Sequence, residues 1–218
     1  MILNRLVKSG NPHFRLCTMA IEPSAPKPSK AELIQAAALQ EFLKTGYMGT
    51  SLDRIAKVAQ VSKPTLYSHF KDKASLFEAV VQHQLQGLQQ DINVLPLDLD
   101  RHNDPQVLLT TILNGLLDRM LTNTDHHHDV IRLMLGESGR FPGLAQGMVR
   151  SIHKPVIERL SHLLATHPAI SCPNPHLTAS TLLGSLIYYT MTQHMLQSAS
   201  ILPLDRESYV KNLVSLIF

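Results

Sequence analysis

The stretch from Thr50 to Lys73, TSLDRIAKVAQVSKPTLYSHFKDK, constrains this chain more than any other. Leu52, Ile55, Ala56 and Ala59 fall at i, i+3, i+4 and i+7, which is the apolar stripe of a helix. Ser51 stands where it can cap that helix, and Asp53 lies in its first turn, where negative charge is favoured. Gln60-Val61-Ser62 then interrupts the pattern. Ser62 can cap a second helix, with Pro64 in the first turn, where its missing N–H is not needed. Leu66 and Phe70 face inward at i, i+4 and leave Lys63, Thr65, Tyr67 and Ser68 outside. Two short helices joined this way can present the second to a DNA major groove. Hydroxyls and amines suit phosphates and base edges, and the Thr65 methyl suits a thymine methyl. The same pattern also occurs in plain bundles, where a charged outer face is simply solvated.

The flanking segments extend the helical reading. Ser29-Lys30-Ala31-Glu32 is a capping box ahead of Ile34, Ala37, Ala38 and Phe42, and Gly46 ends that run. Asp72 can cap a long helix with Leu76, Phe77, Val80, Val81 and Leu88 on one side. Charge divides along the chain. Residues 27–73 hold eight Lys/Arg against four acids, residues 1–26 have a net charge of +2, and the remainder is net negative within a chain total of +3. A basic segment on a mildly acidic body is the asymmetry of a localised DNA footprint.

The order A-A-x-x-x-F-x-x-x-G-Y-x-x-T-S-x-x-x-I-A-x-x-A-x-V-S-x-x-T-L-Y-x-x-F-x-x-K, spanning Ala37 to Lys73, resembles the N-terminal domain of the TetR (tetracycline repressor-like) family. The likeness covers about residues 29–90. A weaker one, Ile131-Arg132-Leu133 followed by Gly136 to Leu144 (GESGRFPGL), is similar to the central helices of one regulatory-domain subgroup of that family. The resemblance implies an all-α homodimeric transcriptional regulator that responds to ligands. It places Lys63, Pro64 and Thr65 at the start of the recognition helix, where base edges are read, with Ser62 and Ser68 also among the DNA-binding residues. It places Thr50, Ser51, Tyr67, His69 and Lys73 against phosphate, with Lys71 close enough to join them. Gln60 departs from the family's frequent glycine, and a positive φ there costs about 1 kcal/mol. Pro64 replaces a more frequent Gly or Ala and can alter which base is read.

The domain reading is an N-terminal extension over 1–28, a helix–turn–helix unit over 29–74 and a ligand-binding and dimerisation body over 75–218, about nine helices in all. Met19-Ala20 can be the true start, which makes residues 1–18 dispensable; alternatively they form a basic arm on DNA. Prolines at 23, 26 and 28 make residues 22–28 a stiff linker. Helices are expected from Asp104-Pro105 to about Leu121, from Thr124 or Asp125 to about Glu137, and from Phe141-Pro142 to about Thr166 with a kink at Pro155. Two more run from about Pro175 to Gln197 and from Leu204 to Leu216.

Leu177 to Leu196 is apolar nearly all round, so it is either a central core helix or an interface. The resemblance favours a homodimer through the last two helices, on a pseudo-palindromic double-stranded operator. Leu113, Leu117, Met120, Met134, Met148, Ile152, Tyr188 and Met191 are either plain core or the lining of a cavity for a small apolar or aromatic effector. Arg132, Glu137 and Arg140 either fix a polar end of that ligand or form salt bridges.

His126-His127-His128 lacks the spacing of a metal site, and no cofactor or catalytic residue is assigned. Gly136-Glu137-Ser138-Gly139 is not a nucleophile elbow, so no enzyme is expected. Two cysteines without CxxC spacing fit a reducing cytoplasm, and no apolar run reaches the roughly 20 residues of a membrane span. The reading is a repressor released by a small apolar ligand. Its alternatives are an effector-independent DNA-binding regulator or activator, and a histidine-based metal-responsive sensor.

Overall fold

A computed structural model describes residues 28–93, 104–121 and 127–218. Among these residues all regular structure is helical, arranged as nine helices. The extension before residue 28, the expected helix start at Thr124 or Asp125, and His126 lie outside the described residues.

Helix α1 covers Lys30–Gly49 and opens with the expected capping box: Glu32 N donates to Ser29 Oγ, and Ser29 N donates to Glu32 Oε2 at 2.6 Å. Helices α2 (Leu52–Val58) and α3 (Lys63–His69) form the short pair, and α4 runs from Lys73 to Asn93. Helix α5 covers Pro105–Leu121, and α6 covers His127–Gly136. Helix α7 is one long rod in three parts, α-helical over Pro142–Met148, π-wound over Val149–His153 and α-helical over Lys154–Thr166. Helix α8 is α-helical over Pro175–Thr190 and π-wound over Met191–Met195. Helix α9 covers Arg206–Ser215.

The kink expected at Pro155 is taken up by the turn before it. Pro155 has no N–H, and its ring crowds the carbonyl four residues back. The chain widens there, and Lys154 N bonds to Val149 O, five residues back. Helix α8 ends similarly: Leu196 N reaches Met191 O, and Gln197 at φ 53 turns the chain away.

Two apolar cores result, and they do not divide at residue 74. The first joins Ile34, Phe42, Ile55, Leu66, Leu76 and Phe77 from α1 to α4, and also takes in Met134, Phe141, Leu144 and Ile152 from α6 and α7. The second joins α5, the C-terminal half of α7, α8 and α9 through Leu109, Leu113, Leu160, Leu186 and Leu213. Arg206 ties α9 to α5 through Asp118 Oδ1 at 2.6 Å and Asn114 O at 3.1 Å. One stripe of α8 faces outward. Leu177, Tyr188 and Met191 are 61%, 44% and 37% exposed, with Thr181 and Gly184 between them. The outer face of α9 is polar, carrying Glu207, Lys211 and Asn212, with Leu216 and Phe218 exposed beyond it.

Candidate nucleic-acid interface

The recognition unit is built from its turns. Gly46, at φ 69 and ψ 173, breaks α1 and lets one further turn bend away. Tyr47 then enters the first core, with its ring centroid 5.1 Å from Phe77 and 5.0 Å from Phe141. Thr50 is buried, and its hydroxyl donates to Gly46 O at 2.8 Å while lying 2.9 Å from Thr45 Oγ1. Ser51 caps α2 by accepting from Arg54 N at 3.3 Å.

The turn between α2 and α3 is a complete Schellman motif. Gln60 N bonds to Lys57 O, Val61 N bonds to Ala56 O, and Gln60 holds φ 54. The residue that replaces glycine therefore does take up the left-handed conformation. Ser62 caps α3, accepting from Thr65 N at 3.2 Å and lying 2.8 Å from Thr65 Oγ1. Leu66 and Phe70 are buried beneath the helix. Lys63, Pro64, Tyr67, Ser68, His69 and Lys71 are exposed, and Thr65 is half-buried. The Lys63 ammonium lies 2.6 Å from Asp53 Oδ2, an exposed pair that links the first turns of the two helices. Asp72 starts α4 by accepting from Ser75 N at 2.8 Å, and that hydrogen bond holds its carboxyl below the usual range.

The structure gives two of the expected phosphate contacts other work in the free protein. Thr50 points its hydroxyl into the α1 corner. The Lys73 ammonium donates to Tyr47 O and Thr50 O, each at 2.8 Å, and lies 3.4 Å from Met48 O and 4.6 Å from the centre of the Tyr47 ring. It thereby satisfies the open carbonyls at the α1–α2 corner. Ser51, Ser62, Lys63, Pro64, Thr65, Tyr67, Ser68, His69 and Lys71 remain around the outer face of α2 and α3.

Several supporting contacts escaped the sequence reading. Arg54 Nε lies 2.6 Å from Oε2 of the buried Glu41, an ion contact without the alignment of a hydrogen bond. Phe141 packs 4.8 Å from Phe77, and Arg140 lies 5.1 Å over the Tyr47 ring and against the Met48 thioether. The salt bridges weighed for Arg132, Glu137 and Arg140 do form: Arg140 is 3.8 Å from Glu137, and Arg132 pairs with Asp129. Tyr47 and Phe141 are 94 positions apart, so no local spacing signals their contact.

The expected cavity residues are not brought together. Leu113, Leu117 and Met120 belong to the second core, Met134, Met148 and Ile152 to the first, and Tyr188 and Met191 face outward. Among the described residues no group of three His, Cys, Asp or Glu is placed to hold a metal ion, and no helix is long and apolar enough to cross a membrane.

This fold and this pair of helices define a helix–turn–helix DNA-binding regulator. Comparison with known proteins makes the class specific. Residues 34–80 match bacterial regulatory proteins of the tetR family, and residues 108–218, half of the chain, match the C-terminal domain of AefR-like transcriptional repressors. The chain belongs to the TetR family of transcriptional regulators; such proteins bind operator DNA and are not enzymes. It is 28% identical over 137 residues to the transcriptional repressor SCO4008 of Streptomyces coelicolor, a match covering 63% of this chain and 60% of that one. It is 27% identical to the regulator YhgD of Bacillus subtilis over 82% of this chain and 90% of that one. Among solved structures, a TetR-family regulator from Mesorhizobium loti superposes with a TM-score of 0.66 at 25% identity, covering 86% of this chain and 94% of that one. The flavonoid-responsive regulator FrrA gives 0.61 at 28% identity, covering 85% and 91%.

Proposed function

We propose that this protein is a cytoplasmic homodimeric repressor that a small aromatic or otherwise apolar ligand releases from a pseudo-palindromic operator. The observation that carries the DNA reading is the outer face of α3, where Lys63, Pro64, Tyr67, Ser68 and His69 stand exposed over a buried Leu66. Residues 29–74 read DNA, and residues 75–218 supply the dimer contact and the effector site. Lys63, Pro64, Thr65 and Ser68 read base edges; Ser51, Ser62, Tyr67, His69 and Lys71 hold phosphate and set the register. Repression is supported by the matches to SCO4008 and to the repressor BepR of Brucella suis.

The dimer forms through the last two helices. The apolar stripe of α8 supplies the contact, and α9 flanks it. Such an isologous pair sets two recognition helices about 34 Å apart, one DNA turn. The likeness to a flavonoid-responsive regulator supports an aromatic effector. Ligand and DNA then weaken one another reciprocally.

The test is a footprint on the DNA flanking the protein's own gene, with a screen for compounds that release it. A protected pseudo-palindrome that a small aromatic compound abolishes is the expected result. Protection without two-fold symmetry sinks the dimer reading. A second reading, an effector-independent activator, is favoured by the 38% identity over 63 residues to the activator FasR of Mycolicibacterium smegmatis. It predicts a footprint that raises transcription and that no compound releases.

A further inference from the structure

Where α5 ends, α6 starts and α8 turns π-wound, polar groups from three helices meet. His128 Nε2 lies 3.0 Å from Met120 O. The His128 ring centroid is 6.4 Å from that of His194, which is 6.1 Å from Tyr189. The Thr190 hydroxyl donates to Met120 Sδ at 3.8 Å. At the rim, Arg132 is held by the Asp129 carboxylate and by Met195 O at 2.6 Å.

The hydrogen-bond inventory sets what this place can accept. A carbonyl only accepts, so His128 Nε2 carries the hydrogen that points at Met120 O. In the neutral ring, Nδ1 is then a bare acceptor. Partial desolvation at its inner edge, with a smaller contribution from the neighbouring His128, holds His194 below the ordinary histidine range. At neutral pH His194 therefore also offers an acceptor nitrogen. The Arg132 charge is already answered by Asp129, so a carboxylate ligand gains little from it. Ring faces and a thioether favour a flat aromatic partner. A hydroxyl on that partner can donate to an imidazole. The π-wound turn that carries His194 is a feature that recurs at functional sites.

We infer that Met120, His128, Tyr189, Thr190 and His194 form an effector subsite for a neutral aromatic ring bearing a hydroxyl group. The inference rests on the effector reading above and names its chemical class. His194 is exposed at the edge of this place, while Tyr189 and Thr190 are buried behind it.

Calorimetry on the full chain near neutral pH tests this with 4-hydroxybiphenyl, 4-methoxybiphenyl and biphenyl-4-carboxylate. The hydroxyl compound binds at least about tenfold more tightly than the other two, the worth of one good hydrogen bond. His128→Phe and, separately, His194→Phe erase that preference. The second variant keeps the His128–Met120 anchor, and the ligand-free melting temperature of each reports whether it folds. Equal binding of the three probes, preference for the carboxylate, binding of none, or selectivity kept in both variants overturns the inference. Operator release is followed separately by fluorescence anisotropy. Selective binding without release leaves the subsite standing and refutes the effector reading.

Discussion

Lys73→Met separates two roles for one ammonium. Methionine keeps an apolar stem of similar length and removes the charge and the donors. In the structure that ammonium makes two hydrogen bonds of 2.8 Å to carbonyls of the α1–α2 corner, with Met48 O farther off at 3.4 Å. A hydrogen bond from a charged donor contributes roughly 1.5–3 kcal/mol. The side chain is half-buried, and the freed carbonyls can regain water, so the pair together contributes about 2 kcal/mol. In a chain of this length that lowers the melting temperature by roughly 4–8 °C. Operator affinity falls modestly because the corner loosens, while the slope of log K against log salt stays unchanged. A residue that neutralised one phosphate per half-site would instead flatten that slope by about 0.9 per contact and leave the melting temperature alone. Thermal unfolding and salt-titrated anisotropy on the same preparation read both quantities. A flatter slope with an unaltered melting temperature would refute the corner-stapling role.

Gln60→Gly relieves the left-handed strain at φ 54. Part of the gain is offset by the entropy of a freer unfolded chain, and urea unfolding should show a net stabilisation of about 0.5 kcal/mol. Phe141→Ala empties a site that is 9% exposed and ringed by Tyr47 and Phe77, at a cost of about 3–4 kcal/mol in the same assay. A loss under about 1 kcal/mol would mean that the α6–α7 corner does not dock on the DNA-reading unit. Thr65→Ala should relax preference at one operator position in a selection from random DNA; unchanged selectivity at every position removes Thr65 from base reading. Glu32 lies in the first turn of α1, Asp72 and Asp205 start α4 and α9, and hydrogen bonds from Ser29, Ser75 and Ser208 hold their carboxyls low. Because their folded-state values are depressed, their contribution is complete above the ordinary carboxylate range near pH ~4 and fades as pH falls through the lower folded values. Replacing all three with Asn or Gln should flatten the acid limb of a stability–pH profile.

Most of the local chemistry was legible in this chain, the two π-wound turns excepted. Ser29, Ser51, Ser62 and Asp72 marked the helix starts, and the apolar stripes named Ile34, Phe42, Ile55, Leu66 and Phe77 as core; Gly46, expected as a stop, is a break after which α1 continues to Gly49. These signals act over one or two helical turns, so spacing alone carries them. The helical limits of α5, α7 and α8 were legible for the same reason. Tertiary structure decided what depends on the approach of distant segments. It turned Thr50 and Lys73 inward, because the bend at Gly46 creates open carbonyls that need donors. It carried Arg140 and Phe141 onto Tyr47, and it distributed the expected cavity residues between two cores and the outer face of α8. It also set His128 beside His194, 66 positions apart. A helical period states which face of a rod is apolar but not which rod will cover it; that follows from how the long helices cross, and only the packed chain fixes those crossings.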